Sequence, residues 1–287
     1  MNAPDSQSSP AETRSRASTR HANEKRARTD HERPHPDGDL SLATYDLSLL
    51  ESSQDKWKRS PALRIVYQHI FRELLSHRAK GRTLEIGSGC GFVKSVDPDI
   101  TTSDVAPTPF SDLVVSAYDI PRSDPDWSNI VAFDVFHHLT EPMRFLRSAC
   151  EGLRRGGRIL LCEPAATGFG KGFYKAFHSE PCEPKSIRAP YVFEQQSGSA
   201  LFANMGMGWA LFERDRQKIA RELRDMGLIL KTVRYRDLLA YPSTGGLSGR
   251  AFLPAFLLRP LLCIEKSIPQ RVLRHLALRM IITIEKI

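Results

Sequence analysis

A glycine-rich turn directly after a short apolar segment is the feature that most limits how this chain can fold. Residues 84–92 read Leu-Glu-Ile-Gly-Ser-Gly-Cys-Gly-Phe. Glycine has no Cβ, so it lets the backbone turn sharply and approach a ligand closely. Open α/β sheets bind their ligands at the carboxyl ends of their strands. The segment therefore predicts a strand that ends in a ligand-binding turn.

Apolar segments of strand and helix type alternate along most of the chain. A Ser60-Pro61 pair, an N-cap followed by a first-turn proline, predicts the start of the first helix of this series. The predicted strands are 82–86, 100–103, 113–115, 129–133, 158–162, 228–235 and 280–285, and the predicted helices include 142–153 and 212–226. Such alternation favours a mostly parallel sheet with helices on both faces. The two short crossovers that flank Asp104 predict loops or short helices there.

The composition describes a globular domain behind a polar leader. Apolar residues make up 41% of the 287 residues, enough for a substantial core. Residues 1–55 nearly lack large apolar side chains before residue 40, so we expect a disordered leader there and one folded domain over 56–287. The basic residues of the leader are balanced by acidic ones, which disfavours an arm that binds nucleic acid.

Charge and cysteine content limit the partners and the location. The net charge of +8 permits anionic partners without selecting one. Five scattered cysteines without a C-x-x-C pair predict neither disulfides nor a zinc site, and a reducing cytoplasm fits them best. We find no signal-peptide pattern and no apolar run of spanning length, so we expect a cytoplasmic protein.

The glycine turn differs from a dinucleotide-binding turn. Its pattern is acidic-x-G-x-G-x-G, whereas the dinucleotide pattern is G-x-G-x-x-G. The carboxylate of Glu85 would oppose a pyrophosphate but suits a ligand that carries an ammonium group. Two downstream segments, FHHLTEP at 136–142 and LRRGGR at 153–158, follow in order. Over most of 61–163 the chain thus resembles class I S-adenosylmethionine-dependent methyltransferases of the type 11 subgroup.

That resemblance implies a Rossmann-like sheet, mostly parallel with an antiparallel last strand, and S-adenosylmethionine as the cofactor. Gly87, Ser88 and Gly89 would line the methionine part of the cofactor. Glu85 would orient them or bind the ammonium group through water. Phe133, at the end of the fourth strand, would offer its carbonyl to the same ammonium group.

The resemblance also assigns the nucleoside part of the cofactor. Asp104, at the end of the second strand, would accept hydrogen bonds from both ribose hydroxyls. Ser116 and Ala117 align with the adenine-binding segment, whose first residue in the family is usually Asp. The serine at 116 departs from that pattern, so Asp119 or a backbone carbonyl is the expected substitute.

Methyl transfer from a sulfonium is an in-line displacement that requires alignment and no metal, so we expect no metal site. A hydroxyl acceptor is helped by a general base, for which histidine is suited near neutral pH. His178 with Glu180 is the first choice for this role, and His138, in the His137-His138 pair, is the second. We expect O-methylation of a small, sugar or lipid-linked acceptor. The Asn/Asp-Pro-Pro-aromatic loop of base methyltransferases is missing after the fourth predicted strand, which disfavours nucleic acid.

An apolar, basic insertion precedes the last predicted strand. Seven basic and two acidic residues lie in 241–287. We expect a lid over about 240–275, with peripheral contact of 250–275 with the inner membrane face as the second interpretation. Two other functions stay open: an NAD(P)-dependent oxidoreductase, and a non-catalytic cofactor-binding or membrane-associated scaffold.

Overall fold

One mixed sheet forms the centre of the protein. The computed structural model describes residues 47–122, 126–194, 202–247 and 249–287. Its strands are β1 Thr83–Ile86, β2 Thr101–Asp104, β3 Leu113–Val114, β4 Trp127–Phe133, β5 Leu153–Pro164, β6 Leu228–Arg236 and β7 Arg279–Lys286. They are arranged in the order β3-β2-β1-β4-β5-β7-β6, and β7 runs antiparallel to both of its neighbours. The other pairs are parallel, which confirms the predicted Rossmann-like sheet with an antiparallel last strand.

Helices follow the predicted alternation. They are α1 Leu47–Arg59, α2 Pro61–Leu75, α3 Pro142–Gly152, α4 Gly168–Phe177, α5 Met207–Trp209, α6 Arg216–Asp225, α7 Ala240–Ser243, α8 Ala255–Lys266 and α9 Gln270–Leu276. The start of α2 is as predicted, because the Ser60 side chain accepts a hydrogen bond from the Leu63 N–H at 3.2 Å. The disordered leader predicted over 1–55 needs a correction, since 47–55 belong to α1; residues 1–46 lie outside the described residues.

Both faces of the sheet are covered. Successive residues of a strand point to opposite faces. Ile130 of β4 packs in one apolar cluster together with Leu146 of α3. The next residue, Val131, packs in a second cluster together with Ile70 of α2. Because both faces are apolar, β4 has the continuous apolar sequence typical of a buried parallel strand.

Two local features differ in how well the sequence predicted them. Only a 3-10 turn, Phe92–Ser95, lies between β1 and β2, as the short crossover predicted. The helix predicted over 212–226 is divided: a wide π-type turn, Ala210–Arg214, precedes α6. The division falls at Asp215, whose carboxylate accepts hydrogen bonds from the Arg214 guanidinium and the Tyr191 hydroxyl.

The segment between β6 and β7 forms the three helices α7, α8 and α9. Leu258 and Leu262 of α8 are buried in the cluster that contains α2. On the outer side, Phe256 is 75% exposed and Ile264 is 62% exposed. In the described part of the chain, no helix has the length and apolar character that crossing a membrane requires.

Candidate functional site

The ends of β1 and β4 meet at the point where the strand order reverses. β1 pairs with β2 on one side and with β4 on the other. A Cβ placed on Gly87, just after β1, would lie 2.5 Å from Cγ2 of Val135, just after β4. The two segments are therefore in direct contact. Open α/β sheets bind ligands at such a switch point, so the sheet places the predicted site here.

The turn after β1 requires its glycines. Gly87, Gly89 and Gly91 have φ angles of 64°, 52° and 65°, in the left-handed region that other residues rarely adopt. Ser88 fixes the turn to β2, because its N–H donates to the Ser103 carbonyl at 2.9 Å and its hydroxyl accepts from the Ser103 N–H at 3.1 Å. The predicted backbone turn is therefore present and anchored on both strands.

Two buried carboxylates lie at this turn. Oδ2 of Asp104 accepts a hydrogen bond from the Gly89 N–H at 2.8 Å, and Oδ1 accepts from the Val105 N–H at 2.8 Å. Glu85 is only 3% exposed, and its Oε2 has no hydrogen-bond partner among the described residues. Burial raises the pKa of Glu85 to about 8; a hydrogen bond from Ser88 lowers it and the charge of Asp104 raises it further. The site thus offers a buried acidic oxygen to a cationic group.

Helix α1 lies on the glycine turn. The Gln54 side-chain amide donates to the Cys90 carbonyl at 2.7 Å, and the Cys90 thiol donates to the Leu50 carbonyl at 3.3 Å. The ring of Trp57 stacks on Phe92 with a centroid distance of 4.2 Å. A ligand that binds over the turn would therefore have to displace α1.

The remaining residues predicted for the cofactor lie beyond the turn. Ser116 opens a turn just after β3, in which its carbonyl accepts from the Asp119 N–H at 3.1 Å. Ala117 is half-buried against the core. Phe133 ends β4, and its ring packs on Phe71 with a centroid distance of 4.8 Å. The contacts of Ser116 and Ala117 with the adenine, and of the Phe133 carbonyl with the ammonium group, stay predictions.

Glu163 organises the segment that follows β4. Its fully buried carboxylate accepts the N–H groups of Val135 at 3.0 Å and Phe136 at 2.8 Å. The same carboxylate contacts both the N–H of His137, at 3.3 Å, and its ring Nδ1, at 2.6 Å. The end of β5 thus holds the turn that carries the histidine pair.

Glu180 joins the two histidines. Its carboxylate lies 3.5 Å from Nε2 of His137 and 3.9 Å from Nε2 of His138. Burial opposes a charge on His137, but Glu163 and Glu180 outweigh it and raise the pKa of His137 to about 10. Burial and the charge of His137 lower the pKa of His138, which keeps its imidazole neutral at pH 7. The hydrogen bond with His137 lowers the pKa of Glu180.

His178, the first choice from the sequence, makes no hydrogen bond with this cluster; burial lowers its pKa, and the charge of Glu180 raises it in part. It caps α4, and its N–H donates to the Tyr174 carbonyl at 2.9 Å. Its exposed ring packs edge-on against Tyr174 with a centroid distance of 5.4 Å. The structure thus brings Glu180 together with His137 and His138. His178 instead caps the end of α4.

Sequence reasoning gave no role to two charged groups beside the site. Asp134 follows β4 directly with a φ of 55°, and its carboxylate pairs with the Arg279 guanidinium. Arg279 is 3% exposed and lies between the rings of Phe133 and Tyr241, at 4.9 and 4.5 Å. The sequence signals for this pair were weak: Asp134 is an acidic residue directly after the predicted fourth strand, and Arg279 is a basic residue directly before the predicted last strand.

Comparison with known proteins gives structural neighbours only. No family model matches the chain. No curated protein matches it either. One solved structure with a similar fold is a SAM-dependent methyltransferase from Archaeoglobus fulgidus. The two sequences are 12% identical, the match covers 78% of this chain and 94% of the methyltransferase chain, and the TM-score is 0.44. The CcbJ methyltransferase from Streptomyces caelestis has 10% identity over 76% of this chain and 88% of the other, with a TM-score of 0.41.

A third neighbour, the [4+2]-cyclase SpnF, has 13% identity over 76% of this chain and 80% of the other, with a TM-score of 0.39. What this chain does is inferred below from its own residues.

Proposed function

We propose that this protein transfers a methyl group from S-adenosylmethionine to an oxygen atom of a small, sugar or lipid-linked acceptor. The observation that carries the proposal is the unpartnered, buried Oε2 of Glu85 beside a left-handed glycine turn. A buried carboxylate oxygen without a partner is unfavourable unless a cationic ligand approaches it. S-adenosylmethionine carries an ammonium group and a sulfonium, so its charge suits this position.

The residues at the turn fit the parts of that cofactor. Glu85 would face the ammonium group, and the carboxylate of Asp104 would accept the ribose hydroxyls, since a carboxylate oxygen can accept more than one hydrogen bond. A Cβ on Gly89 would meet only Leu50, at 3.8 Å, so the turn leaves space once α1 moves. When bound, the cofactor supplies an electrophilic methyl group. The further proposed contacts are Gly87, Ser88, Ser116, Ala117 and the carbonyl of Phe133.

His138 is suited to take the proton from an acceptor hydroxyl. Its Nδ1 lies 3.1 Å from the Phe202 carbonyl, which can only accept, so Nδ1 carries the hydrogen. The Nε2 atom is then free to accept a proton, and the lowered pKa keeps it available at pH 7. Glu180, next to Nε2, would stabilise the imidazolium that forms. His178 remains a predicted alternative base.

A labelled-methyl assay tests the activity. The full chain would be incubated with methyl-labelled S-adenosylmethionine and an extract of metabolites and lipids, and the labelled product identified. We expect His138→Ala to bind the cofactor normally and to lose transfer, whereas a scaffold would transfer no label in either form. A binding competition between S-adenosylmethionine and NAD distinguishes a methyltransferase from the oxidoreductase alternative. Binding of NAD but not of S-adenosylmethionine would contradict the proposal.

Glu85 should couple cofactor binding to proton release. With a pKa of about 8, Glu85 is mostly protonated at pH 7, and a bound cation favours its ionised form. Affinity for S-adenosylmethionine should therefore rise between about pH 6 and pH 8. Calorimetry in two buffers with different ionisation enthalpies would measure the proton released.

The matched variant for this prediction is Glu85→Gln. It keeps the shape of the side chain but has no proton to release, and we expect about tenfold weaker binding without proton exchange. If the parent protein binds the cofactor and exchanges no proton, then Glu85 does not face the cation.

We also propose that the outer side of the α8 region contacts anionic membrane surfaces. Phe252 and Phe256 are 79% and 75% exposed, and the exposed basic side chains Arg259 and Lys266 follow them along α8. We expect flotation with anionic vesicles that decreases with salt and is lost in Phe256→Asp. Val114→Asp, likewise an apolar-to-acidic change but at the exposed edge strand β3, should float like the parent. If both variants float equally well, or if the parent protein does not float at all, the α8 region would be a lid without membrane contact.

A further inference from the structure

Three electron-rich atoms converge beside the end of β4. Nδ1 of His137 lies 2.6 Å from the buried Glu163 carboxylate, and Nδ1 of His138 lies 3.1 Å from the Phe202 carbonyl. Both neighbours act as acceptors, so each Nδ1 carries a hydrogen and each neutral ring has its lone pair on Nε2. Both Nε2 atoms face the carboxylate of Glu180, at 3.5 and 3.9 Å. Either a proton, as in the His137 imidazolium, or a metal ion between these atoms would offset their repulsion.

The spacing suits a metal ion as well as a proton. One ligand atom from each of His137, His138 and Glu180 lies within 4.8 Å of the other two. In a tetrahedral zinc site with bonds of about 2.0–2.2 Å, neighbouring ligand atoms are roughly 3.4 Å apart. The distances of 3.5 Å, from Oε2 of Glu180 to His137, and 3.9 Å, from Oε1 to His138, are within a small side-chain adjustment of that geometry.

The hydrogen-bond partners of the two rings are also those typical of metal-binding histidines. Metal-binding histidines almost always donate their other ring N–H to a carboxylate or carbonyl, which fixes the tautomer and the ring direction. Glu163 does this for His137 from a fully buried position, and the Phe202 carbonyl does it for His138. Three protein ligands leave a fourth position open, and the partly exposed His138 and Glu180 make that position accessible.

We propose that His137 Nε2, His138 Nε2 and the Glu180 carboxylate bind one divalent transition-metal ion, with Zn²⁺ as the best match. Two imidazoles and a carboxylate are ligands that zinc prefers. The ion replaces the proton that otherwise bridges His137 and Glu180. Binding excludes the general-base role of His138, because both use the same Nε2 lone pair. The site does not depend on the proposed methyl transfer and is measured without cofactor or acceptor.

Cobalt absorption tests the site directly. The tag-free full chain, stripped with a chelator, would be titrated with Co²⁺, whose visible absorption reports its ligands and coordination number. We expect a saturable band at one Co²⁺ per chain, which Zn²⁺ removes. His138→Ala and Glu180→Gln, both at partly exposed positions, should each weaken Co²⁺ binding about tenfold or more while far-ultraviolet circular dichroism stays unchanged.

His178→Ala is the matched control, because it removes an imidazole two residues from Glu180 that is not one of the three proposed ligands. It should bind Co²⁺ like the parent. The proposal is wrong if the parent shows no saturable band, or if His138→Ala and Glu180→Gln bind as tightly as the parent. A near-ultraviolet thiolate charge-transfer band would also overturn it, since it would assign the ion to a cysteine.

Discussion

Replacing Asp104 with alanine is expected to weaken the binding of S-adenosylmethionine about a hundredfold or more. The carboxylate is proposed to accept the ribose hydroxyls, and it also holds the glycine turn through the Gly89 N–H at 2.8 Å. The variant loses both interactions, because alanine offers no acceptor. Isothermal titration calorimetry on the full chain would measure the dissociation constant.

Asp112→Ala is a suitable control for this experiment. Asp112 precedes β3, and its carboxylate accepts from the Thr102 N–H at 2.9 Å and pairs with Lys94 at 2.6 Å. Its loss removes a comparable number of interactions beside β2 but none at the glycine turn. We expect Asp112→Ala to bind the cofactor like the parent. Equal binding by Asp104→Ala and the parent would rule out the cofactor assignment.

Replacing Glu163 with alanine is expected to lower the free energy of unfolding by roughly 3–6 kcal/mol. The buried carboxylate accepts from three successive backbone N–H groups and from the His137 ring, and the substitution leaves these donors without a partner. The segment with His137 and His138 would also lose its support. We therefore expect methyl transfer to be lost from the molecules that still fold, and urea unfolding would measure the change in stability.

Glu265→Ala separates stability from activity. The carboxylate of Glu265 likewise accepts three backbone N–H groups, at residues 238–240, but it lies in α8 and not at the histidine pair. We expect a similar loss of stability with methyl transfer per folded molecule retained. If Glu163→Ala were within about 1 kcal/mol of the parent, the proposed support of the turn would be wrong.

The sequence was sufficient to predict the sheet and the glycine turn after β1. Apolar periodicity and glycine positions are local signals, so β1 and β4 were found within two residues of their observed bounds. The contact between Asp104 and the Gly89 N–H also follows from topology, because the ends of neighbouring parallel strands meet at one edge.

The contacts among Glu163, His137 and Glu180 could not be predicted in the same way. Glu163, His137 and Glu180 lie in three separate segments, and only tertiary packing brings them together. The prediction that His178 acts with Glu180 was based on their proximity along the chain. In the structure, however, the His178 ring packs on Tyr174. The position of α1 was missed for a similar reason, since its order depends on distant contacts such as Trp57 with Phe92.

The position of α1 has a consequence for turnover. The spent nucleoside would have to leave from beneath this helix, which is held by the Gln54 amide, the Cys90 thiol and the Trp57 ring. Undocking of α1 would then limit the steady-state velocity even when the bond-making step is fast. A substitution at Trp57 would then change the cycling speed of such an enzyme without changing its bond-making step.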